Sequence, residues 1–299
     1  MNSKIKHSNQ NNTSYILLDG GMGRELKKRL PNFDPILWSA TGLIEDPDAV
    51  VNVHCDYINA GSTIITTNNY TVVPSILQQV NRSDELGSLT QLAGKLAQSA
   101  VKKTGNTVKV AGSIPPLASS YRPDLVVDQP IGIKSYTAIA QNLLPYIDVF
   151  LCESMSSIPE AFMAVTALQP FNKPIWVSFI LDDHSPDQIL SEDKINQITQ
   201  NLDGLHYDAL LFNCAQPYTI SQGLALLETD KLKGGYANSF QKLPSSDHHV
   251  HGNFRPDEPL SPEDYFSFVS QWRQNNATII GGCCGIGPEH INYIYKQLR

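Results

Sequence analysis

The chain has 299 residues, of which 22 are basic and 29 acidic, so its formal net charge is −7. This excess of acidic residues excludes a broad electrostatic hold on nucleic acid or on an anionic membrane, since either would need a basic surface. Hydrophobic residues make up 41% of the chain and charged residues 17%, which is typical of a folded globular protein. No apolar run reaches the roughly 18 residues of a transmembrane helix, so we expect none.

The first 14 residues are polar and lack the apolar segment of a signal peptide. We therefore expect a disordered tail at 1–14, followed by a single folded domain at 15–299. The chain has five cysteines, and an odd number argues against a disulfide framework. These features predict a cytoplasmic protein whose cysteines are packed hydrophobic residues, nucleophiles or metal ligands.

Short apolar runs recur along the chain, and each is followed by a helical pattern. Near-continuous apolar runs, rather than alternating ones, are typical of strands buried on both faces of a parallel sheet. In chain order, the predicted strands are Tyr15–Asp19, Thr63–Thr67, Val108–Gly112, Asp148–Cys152, Ile175–Phe179, Ala209–Asn213, Gly234–Asn238 and Thr278–Gly281.

The clearest helix is predicted at Pro47–Ala60. Asp46 can act as its N-cap, proline suits its first position, and Gly61 suits the residue that follows it. Ser83–Lys103 also has leucine and alanine at helical spacing. Further helices are predicted near residues 133–147, 158–169, 188–202, 217–229, 261–275 and 288–298.

Eight successive strand–helix units predict an α/β fold, a single (β/α)₈ TIM barrel, because such units close into a barrel of about 250 residues or more. A doubly wound open sheet is the alternative. The surplus length lies in loops that follow strands, at 31–45, 113–132 and 239–260. Loops in this position form the C-terminal face of a barrel, where active sites lie.

Three cysteines directly follow predicted strands. Cys214 follows the sixth strand, and the adjacent Cys283 and Cys284 follow the eighth in a GGCCG segment. A barrel would bring them to one rim, where three thiolates with one open position suit a catalytic zinc site. The alternatives are three unrelated buried cysteines or a disulfide between the adjacent pair. Cys55, within a helix, and Cys152, at a strand end, are expected to be packed apolar residues.

A zinc ion held by three thiolates would carry a net charge near −1, so it would acidify bound water less than a site of neutral histidines. Such a site is better suited to take a thiol as fourth ligand and keep its sulfur as a nucleophilic thiolate. Its negative charge also favours a cationic reaction partner. These properties point to alkyl transfer from a sulfonium or quaternary ammonium group onto a thiol.

The sequence resembles the homocysteine S-methyltransferase family from about Leu17 to His290. This resemblance implies a zinc-dependent barrel enzyme that methylates L-homocysteine to L-methionine. The segments that carry it are Leu18–Leu26, Asn213–Cys214 and Gly281–Gly285, with support from Tyr57–Gly61, Thr66–Asn68 and Gly287–Ile291.

The resemblance also implies roles for individual residues. The three rim cysteines match the zinc ligands of the family. Asp19 and Gly20 match its homocysteine-binding segment, and Glu153 matches the acidic residue that holds the substrate ammonium. Two carboxylates can bracket an ammonium group, and the N–H groups of Gly20–Gly23 can receive a carboxylate. No general base is identified, since the expected nucleophile is the zinc-bound substrate thiolate.

The expected methyl donor is a sulfonium compound, S-methylmethionine or S-adenosylmethionine. Betaine-type members of the family extend beyond the barrel, whereas this chain ends just after its last predicted helix. Aromatic faces hold such cations well, and the candidates on rim segments are Trp38, Tyr70 and Tyr121, for which simple loop packing is the alternative. Within the family, the alternative is a selenocysteine methyltransferase or a betaine-type thiol or selenol methyltransferase.

Two other classes of function are considered. A thiol redox or zinc-sensing protein would use a Cys283–Cys284 disulfide and need no substrate. A barrel hydrolase with zinc-bound water is disfavoured, because histidines are lacking beside the strand ends. His248, His249 and His251 could form a second metal site, but we favour a mobile, solvated loop. The expected partners are therefore small-molecule substrates, without nucleic acid or membrane.

Overall fold

The structure is a computed structural model that describes residues 15–239 and 260–299. Eight parallel strands of this part of the chain form one sheet. They are β1 (Ile16–Leu17), β2 (Ile64–Thr66), β3 (Lys109–Ile114), β4 (Val149–Met155), β5 (Ile175–Phe179), β6 (Ala209–Asn213), β7 (Leu232–Ala237) and β8 (Ala277–Gly282).

Strand β1 brings the two ends of this sheet together. On one side it pairs with β8, where Ile16 lies beside Ile279. On the other side the backbone N–H of Thr63, just before β2, donates to the carbonyl of Leu17 at 2.8 Å. The remaining strands pair in the order of the chain. The result is a nearly closed barrel, so the predicted (β/α)₈ barrel is confirmed and the open doubly wound sheet is wrong.

All eight predicted strands are present, and their ends differ from the predicted ends by a few residues at most. The largest difference is at the end of β4, which continues past the predicted Cys152 to Met155. Glu153 lies in this extension, at the carboxyl end of β4, and the rim cysteines also lie at the carboxyl ends of their strands.

Helices connect the strands. In chain order they are α1 (Met22–Lys27), α2 (Thr41–Glu45), α3 (Pro47–Ala60), α4 (Pro74–Gln79), α5 (Leu86–Thr104), α6 (Gln129–Leu143), α7 (Ile158–Leu168), α8 (Ile195–Asn201), α9 (Pro217–Leu226), α10 (Pro262–Gln274) and α11 (Pro288–Gln297). The short helices α1, α2 and α4 are not among the helices whose positions were predicted. No helix in these two described ranges is long and apolar enough to cross a membrane.

Helix α3 begins and ends where the sequence predicts. The side chain of Asp46 accepts a hydrogen bond from the backbone N–H of Ala49 at 3.0 Å, as an N-cap does. Gly61 has a φ of 113°, a left-handed conformation that favours glycine and ends the helix. This turn leads the chain directly into β2 and so places Thr66 at the rim.

The helix predicted at 188–202 is wrong over its first half. Leu181–Asp182 and Ser185–Ile189 pair as a short antiparallel hairpin, and α8 begins only at Ile195. The hairpin turn is fixed locally, because Asp182 accepts a hydrogen bond from the backbone N–H of His184 at 2.8 Å.

Apolar side chains pack on both faces of the barrel sheet. One cluster fills the barrel and includes Leu151, Trp176 and Leu211. A larger cluster lies between the sheet and the helices, and it contains Cys55 and Cys152, which are buried as predicted. The predicted tail at 1–14 and the three loop histidines at 248, 249 and 251 lie outside the described residues.

Candidate active site

A cavity of about 470 Å³ lies at the carboxyl ends of the strands, a size that suits small-molecule ligands. Side chains from several separate strand ends and rim loops meet in it. Every candidate site residue inferred from the sequence lines this cavity, namely Asp19, Gly20, Trp38, Tyr70, Tyr121, Glu153, Cys214, Cys283 and Cys284.

The three rim cysteines form one cluster. The sulfur atoms of Cys214, Cys283 and Cys284 all lie within 4.8 Å of one another. Zinc–sulfur bonds of about 2.3 Å would separate the sulfurs of a tetrahedral site by about 3.8 Å. Three soft sulfur donors at this spacing could hold a metal ion, and all three cysteines line the cavity.

In the structure Cys214 and Cys283 are joined as a disulfide, with Cα atoms 5.8 Å apart, and Cys284 is a free thiol. The alternative of a disulfide between the adjacent Cys283 and Cys284 is therefore wrong. The odd cysteine count also did not exclude a disulfide, because the barrel brings the ends of β6 and β8 together. Zinc held by all three thiolates requires this pair in its reduced state, so the two states exclude each other.

Hydrogen bonds fix the backbone that carries the cysteines. The carbonyl of Cys214 accepts one hydrogen bond from the Tyr121 hydroxyl and one from the Asn238 amide, both at 3.1 Å. The N–H of Cys283 donates to the carbonyl of Ala237 at 2.8 Å. Cys214 itself has a φ of 52°. A left-handed residue that is not glycine is a strained position, of the kind that clusters at functional sites.

Asp19 is a buried carboxylate at the end of β1, with 6% of its surface exposed. It accepts hydrogen bonds from the backbone N–H of Thr66 at 2.8 Å and from the Thr66 hydroxyl at 3.1 Å. Burial raises the pKa of Asp19 to about 7, and the two hydrogen bonds oppose this rise. The two hydrogen bonds from Thr66 thus hold the carboxylate in place, while burial disfavours its negative charge.

Glu153 is the second carboxylate of the cavity, and it accepts a short hydrogen bond from the Ser113 hydroxyl. Burial raises the pKa of Glu153 to about 7, and the charge of nearby Asp19 adds to the rise. Two carboxylates whose charged forms are disfavoured by burial and that repel each other are stabilised by a cation between them. This pair therefore suits a substrate ammonium group.

The glycine-rich segment after β1 offers fewer backbone N–H groups to an anion than predicted. The N–H of Gly21 donates to the carbonyl of Ile286 at 3.0 Å, so it is engaged within the protein. A Cβ atom on Gly20 would overlap the same carbonyl oxygen, and one on Gly21 would lie 2.7 Å from the carbonyl of Cys283. The glycines are required here because two rim segments pass in close contact.

Replacing Gly20 with alanine should lower the free energy of unfolding by about 1–3 kcal/mol, because the added methyl group meets backbone rather than a movable side chain. Urea denaturation would measure the loss. Gly87→Ala in α5 is a matched control, since its Cβ would meet nothing closer than 3.4 Å and alanine favours a helix. Equal stability of Gly20→Ala and the wild type would contradict the close contact.

Asn213 is a residue whose role the sequence did not reveal. Its side-chain oxygen accepts hydrogen bonds from the backbone N–H of Ser154 at 3.0 Å and from the Ser178 hydroxyl at 2.7 Å. Its amide nitrogen donates to the Ser154 hydroxyl at 2.7 Å. These buried bonds tie β4, β5 and β6 together between Glu153 and Cys214. The asparagine that precedes a strand-end cysteine was the available signal, but the pattern does not name its partners.

Three aromatic side chains form part of the cavity wall. Trp38 has a φ of 48°, and its indole ring lies against Gly23. A Cβ atom added to Gly23 would overlap the indole nitrogen. Tyr70 shares a hydrogen bond of 2.6 Å with the Ser120 hydroxyl, and Tyr121 is held by the backbone bond described above. These contacts hold the three side chains in place in the cavity wall.

The family follows from a comparison with known sequences. The sequence profile described as Homocysteine S-methyltransferase matches residues 16–298. The chain belongs to the homocysteine S-methyltransferase family. It is 26% identical over 306 residues to the homocysteine S-methyltransferase YbgG of Bacillus subtilis (strain 168), covering 95% of this chain and 94% of that protein. It is also 25% identical over 318 residues to a selenocysteine methyltransferase of Astragalus bisulcatus, covering 94% and 92%.

Solved structures agree on the fold. The homocysteine methyltransferase MmuM of Escherichia coli, in its metallated form, superposes with a TM-score of 0.80 at 24% identity, covering 95% of this chain and 96% of that one. An oxidized form of the same protein gives the same TM-score. These structures confirm the predicted barrel, and the family profile confirms the predicted methyltransferase class. Neither the redox-sensor nor the hydrolase interpretation explains membership of this family.

Proposed function

We propose that this chain transfers a methyl group from a sulfonium donor, S-methylmethionine or S-adenosylmethionine, to the sulfur of L-homocysteine, giving L-methionine. The observation that carries the proposal is the shared cavity, whose lining includes three clustered cysteine sulfurs, the buried carboxylate of Asp19 and the partly buried carboxylate of Glu153. The cavity therefore offers one site for the thiol and another for the ammonium group of the same small amino acid. The selenocysteine methyltransferase among the relatives keeps a selenol acceptor as the second candidate.

We further propose Zn²⁺ as the metal and Cys214, Cys283 and Cys284 as its ligands. When bound, zinc would supply an open ligand position that keeps the acceptor sulfur deprotonated. Burial raises the pKa of Cys284 while Arg24 opposes the rise, so zinc binding must displace protons from the cluster. Because all three sulfurs must be reduced, the enzyme is suited to a reducing compartment such as the cytoplasm.

The carboxylates orient the acceptor. Asp19 and Glu153 bind the ammonium group of homocysteine, and the hydrogen bonds from Thr66 and Ser113 hold them in position for it. Fixing the ammonium end limits the positions that the sulfur end can take, so the sulfur is presented to the donor methyl in line. Positioning of this kind supplies much of the rate enhancement in a two-substrate transfer.

The aromatic wall holds the donor. A sulfonium group is attracted to the faces of Trp38, Tyr70 and Tyr121 and to the carboxylates beyond them. Because the sulfonium carries its own leaving group, transfer yields a neutral thioether and needs no proton transfer to the donor.

The direct test is methionine formation from homocysteine by the reduced, zinc-loaded protein, with S-methylmethionine, S-adenosylmethionine and betaine offered in parallel. We expect turnover with at least one sulfonium donor and none with betaine. Turnover with betaine alone would overturn the donor assignment. Selenocysteine should be tested as acceptor with the same donors. If it is methylated faster than homocysteine, the result favours the second candidate, a selenol acceptor.

Replacing Trp38 with alanine should raise the KM of the donor about tenfold, with little change in the KM of homocysteine, because the cation loses an aromatic face. Trp38→Phe, which keeps a ring, should lie between the variant and the wild type. Steady-state kinetics with each substrate varied in turn would measure both constants. Equal increases in the two constants would refute a role for Trp38 in donor binding.

A further inference from the structure

A polar tier lies inside the barrel at the carboxyl ends of the strands, beyond the apolar side chains that fill the barrel. Its members are Ser113, Glu153, Ser178, Asn213 and Tyr236. The first four each follow, by two positions, an apolar residue of the cluster that fills the barrel, and Tyr236 is itself a member of that cluster. Because residues two apart on a strand lie on the same face, all five belong to the inner face of the sheet.

Tyr236 differs from the rest of the polar tier in its hydrogen bonding. Ser113 donates to Glu153, and Ser178 donates to Asn213 at 2.7 Å. Tyr236 lies beside Asn213 in the pairing of β6 with β7, lines the cavity and is only 4% exposed. Within residues 15–239 and 260–299, no group forms a hydrogen bond with its buried hydroxyl. A buried polar group without a partner is costly, so one in the wall of a ligand cavity points to a partner on the ligand.

The state of this hydroxyl decides which kind of group it can bind. Burial raises the pKa of Tyr236 well above its ordinary value, the charges of Glu153 and Asp19 add to the rise, and the nearby Ser178 hydroxyl opposes it. The phenol therefore stays protonated, and its neutral oxygen keeps a lone pair that can accept a hydrogen bond. An ammonium group has three N–H donors, and one bond to each of the two carboxylates leaves the third donor without a partner.

We propose that the hydroxyl oxygen of Tyr236 accepts the third hydrogen bond of the acceptor's ammonium group, while Asp19 and Glu153 accept the other two. This inference rests on the proposed function and adds to it a residue that determines acceptor specificity. Three acceptors match a primary ammonium group, which has one donor for each. An N-methylated amine has only two donors and places a methyl group against one of the three oxygens, so the site selects against it.

Tyr236→Phe removes the hydroxyl and keeps the ring, which separates binding of the ligand from support of the fold. Without ligand the hydroxyl has no bond to lose, so the Tm should stay unchanged or rise by a few degrees. The Kd of L-homocysteine should rise about tenfold or more, because a hydrogen bond to a charged group is lost. Scanning and titration calorimetry of the reduced, zinc-loaded protein measure the two effects, and the zinc content should equal that of the wild type.

N-methyl-L-homocysteine is the second probe in the titrations. The wild type should bind it more weakly than homocysteine, since one of its three acceptors meets a methyl group. Tyr236→Phe should narrow this difference, because only homocysteine loses a hydrogen bond. A difference that is the same in the variant and the wild type would mean that Tyr236 does not contact the ammonium group.

Tyr136→Phe is the matched control. Tyr136 lies on α6 and packs between the sheet and the helices, and its hydroxyl is also buried without a partner among the described groups. Its replacement should change the Kd of homocysteine by no more than about twofold, because the site is remote.

Three results would overturn the assignment of Tyr236. They are homocysteine binding by Tyr236→Phe as tight as that of the wild type, equal weakening of both probes, and a Tm several degrees below that of the wild type. The last would mean that the hydroxyl supports the fold instead of the ligand. Failure of the wild type itself to bind homocysteine would refute the proposed function, so the two failures are distinguishable.

Discussion

Replacing Cys214 with alanine should abolish both stoichiometric zinc and methyl transfer to homocysteine. Two thiolates would remain, and losing one of three protein ligands lowers zinc affinity by orders of magnitude. The residual rate should be about thirtyfold lower or less than that, because a free thiol with a pKa of about 8.5 is only about 3% thiolate at neutral pH. Metal analysis of the purified variant and an assay of methionine formation would measure the two losses.

Cys55→Ala is the matched control for this variant. Cys55 is buried between α3 and its neighbours in the outer core, away from the cavity, so removing its sulfur should cost some stability and leave zinc content and turnover intact. Both proteins should be handled with a reductant, because the Cys214–Cys283 disulfide would block zinc binding in the wild type. A zinc-free Cys214→Ala protein with full activity would contradict the proposed site.

The second large effect is a loss of homocysteine binding at low pH. Burial raises the pKa of Asp19 and of Glu153 to about 7, so both are charged above this pH and attract the ammonium group. Below it they take up protons and become neutral, so kcat/KM for homocysteine should fall as pH decreases, by up to about tenfold per unit for each group. Kinetics from about pH 5.5 to 8.5 would show the fall, with zinc content measured at each pH because thiolate ligands also bind protons.

Glu153→Gln isolates one of the two carboxylates. It should lower kcat/KM for homocysteine about a hundredfold, because an amide keeps the shape but not the charge that the ammonium needs. It should also make the remaining pH dependence shallower. Glu45→Gln, at an exposed position on α2, is the control and should alter neither. A pH profile that is the same in Glu153→Gln and the wild type would show that Glu153 does not bind the ammonium.

The sequence allowed the barrel and much of the cavity to be predicted. Buried parallel strands are near-continuous apolar runs, and their order along the chain is also their order in the sheet. Once the strand ends are known, residues that follow them must meet at one rim, which is why Cys214, Cys283 and Cys284 could be placed together. Asp19 and Glu153 were assigned to the site by the resemblance to the family. The ends of α3 were also predictable, because its cap and its terminal glycine act within a few residues.

The remaining features depend on contacts between distant residues. The engagement of Gly21 by Ile286 joins the first and last strand–helix units, and no local pattern marks it. The pairing of Cys214 with Cys283 depends on the distance between two strand ends. The hairpin before α8 was missed because its second strand, Ser185–Ile189, is mostly polar and shows no alternating apolar pattern.

The proposed chemistry can be observed directly with L-homocysteine labelled with carbon-13 in its backbone. The label distinguishes methionine made from the acceptor from methionine left behind by S-methylmethionine. Mass spectrometry of a reaction with the reduced, zinc-loaded protein should show labelled methionine with a sulfonium donor. The product should disappear when a chelator removes the zinc, and it should return when zinc is restored. Absence of labelled methionine with every donor, or an equal yield from the zinc-free protein, would contradict zinc-dependent methyl transfer to homocysteine.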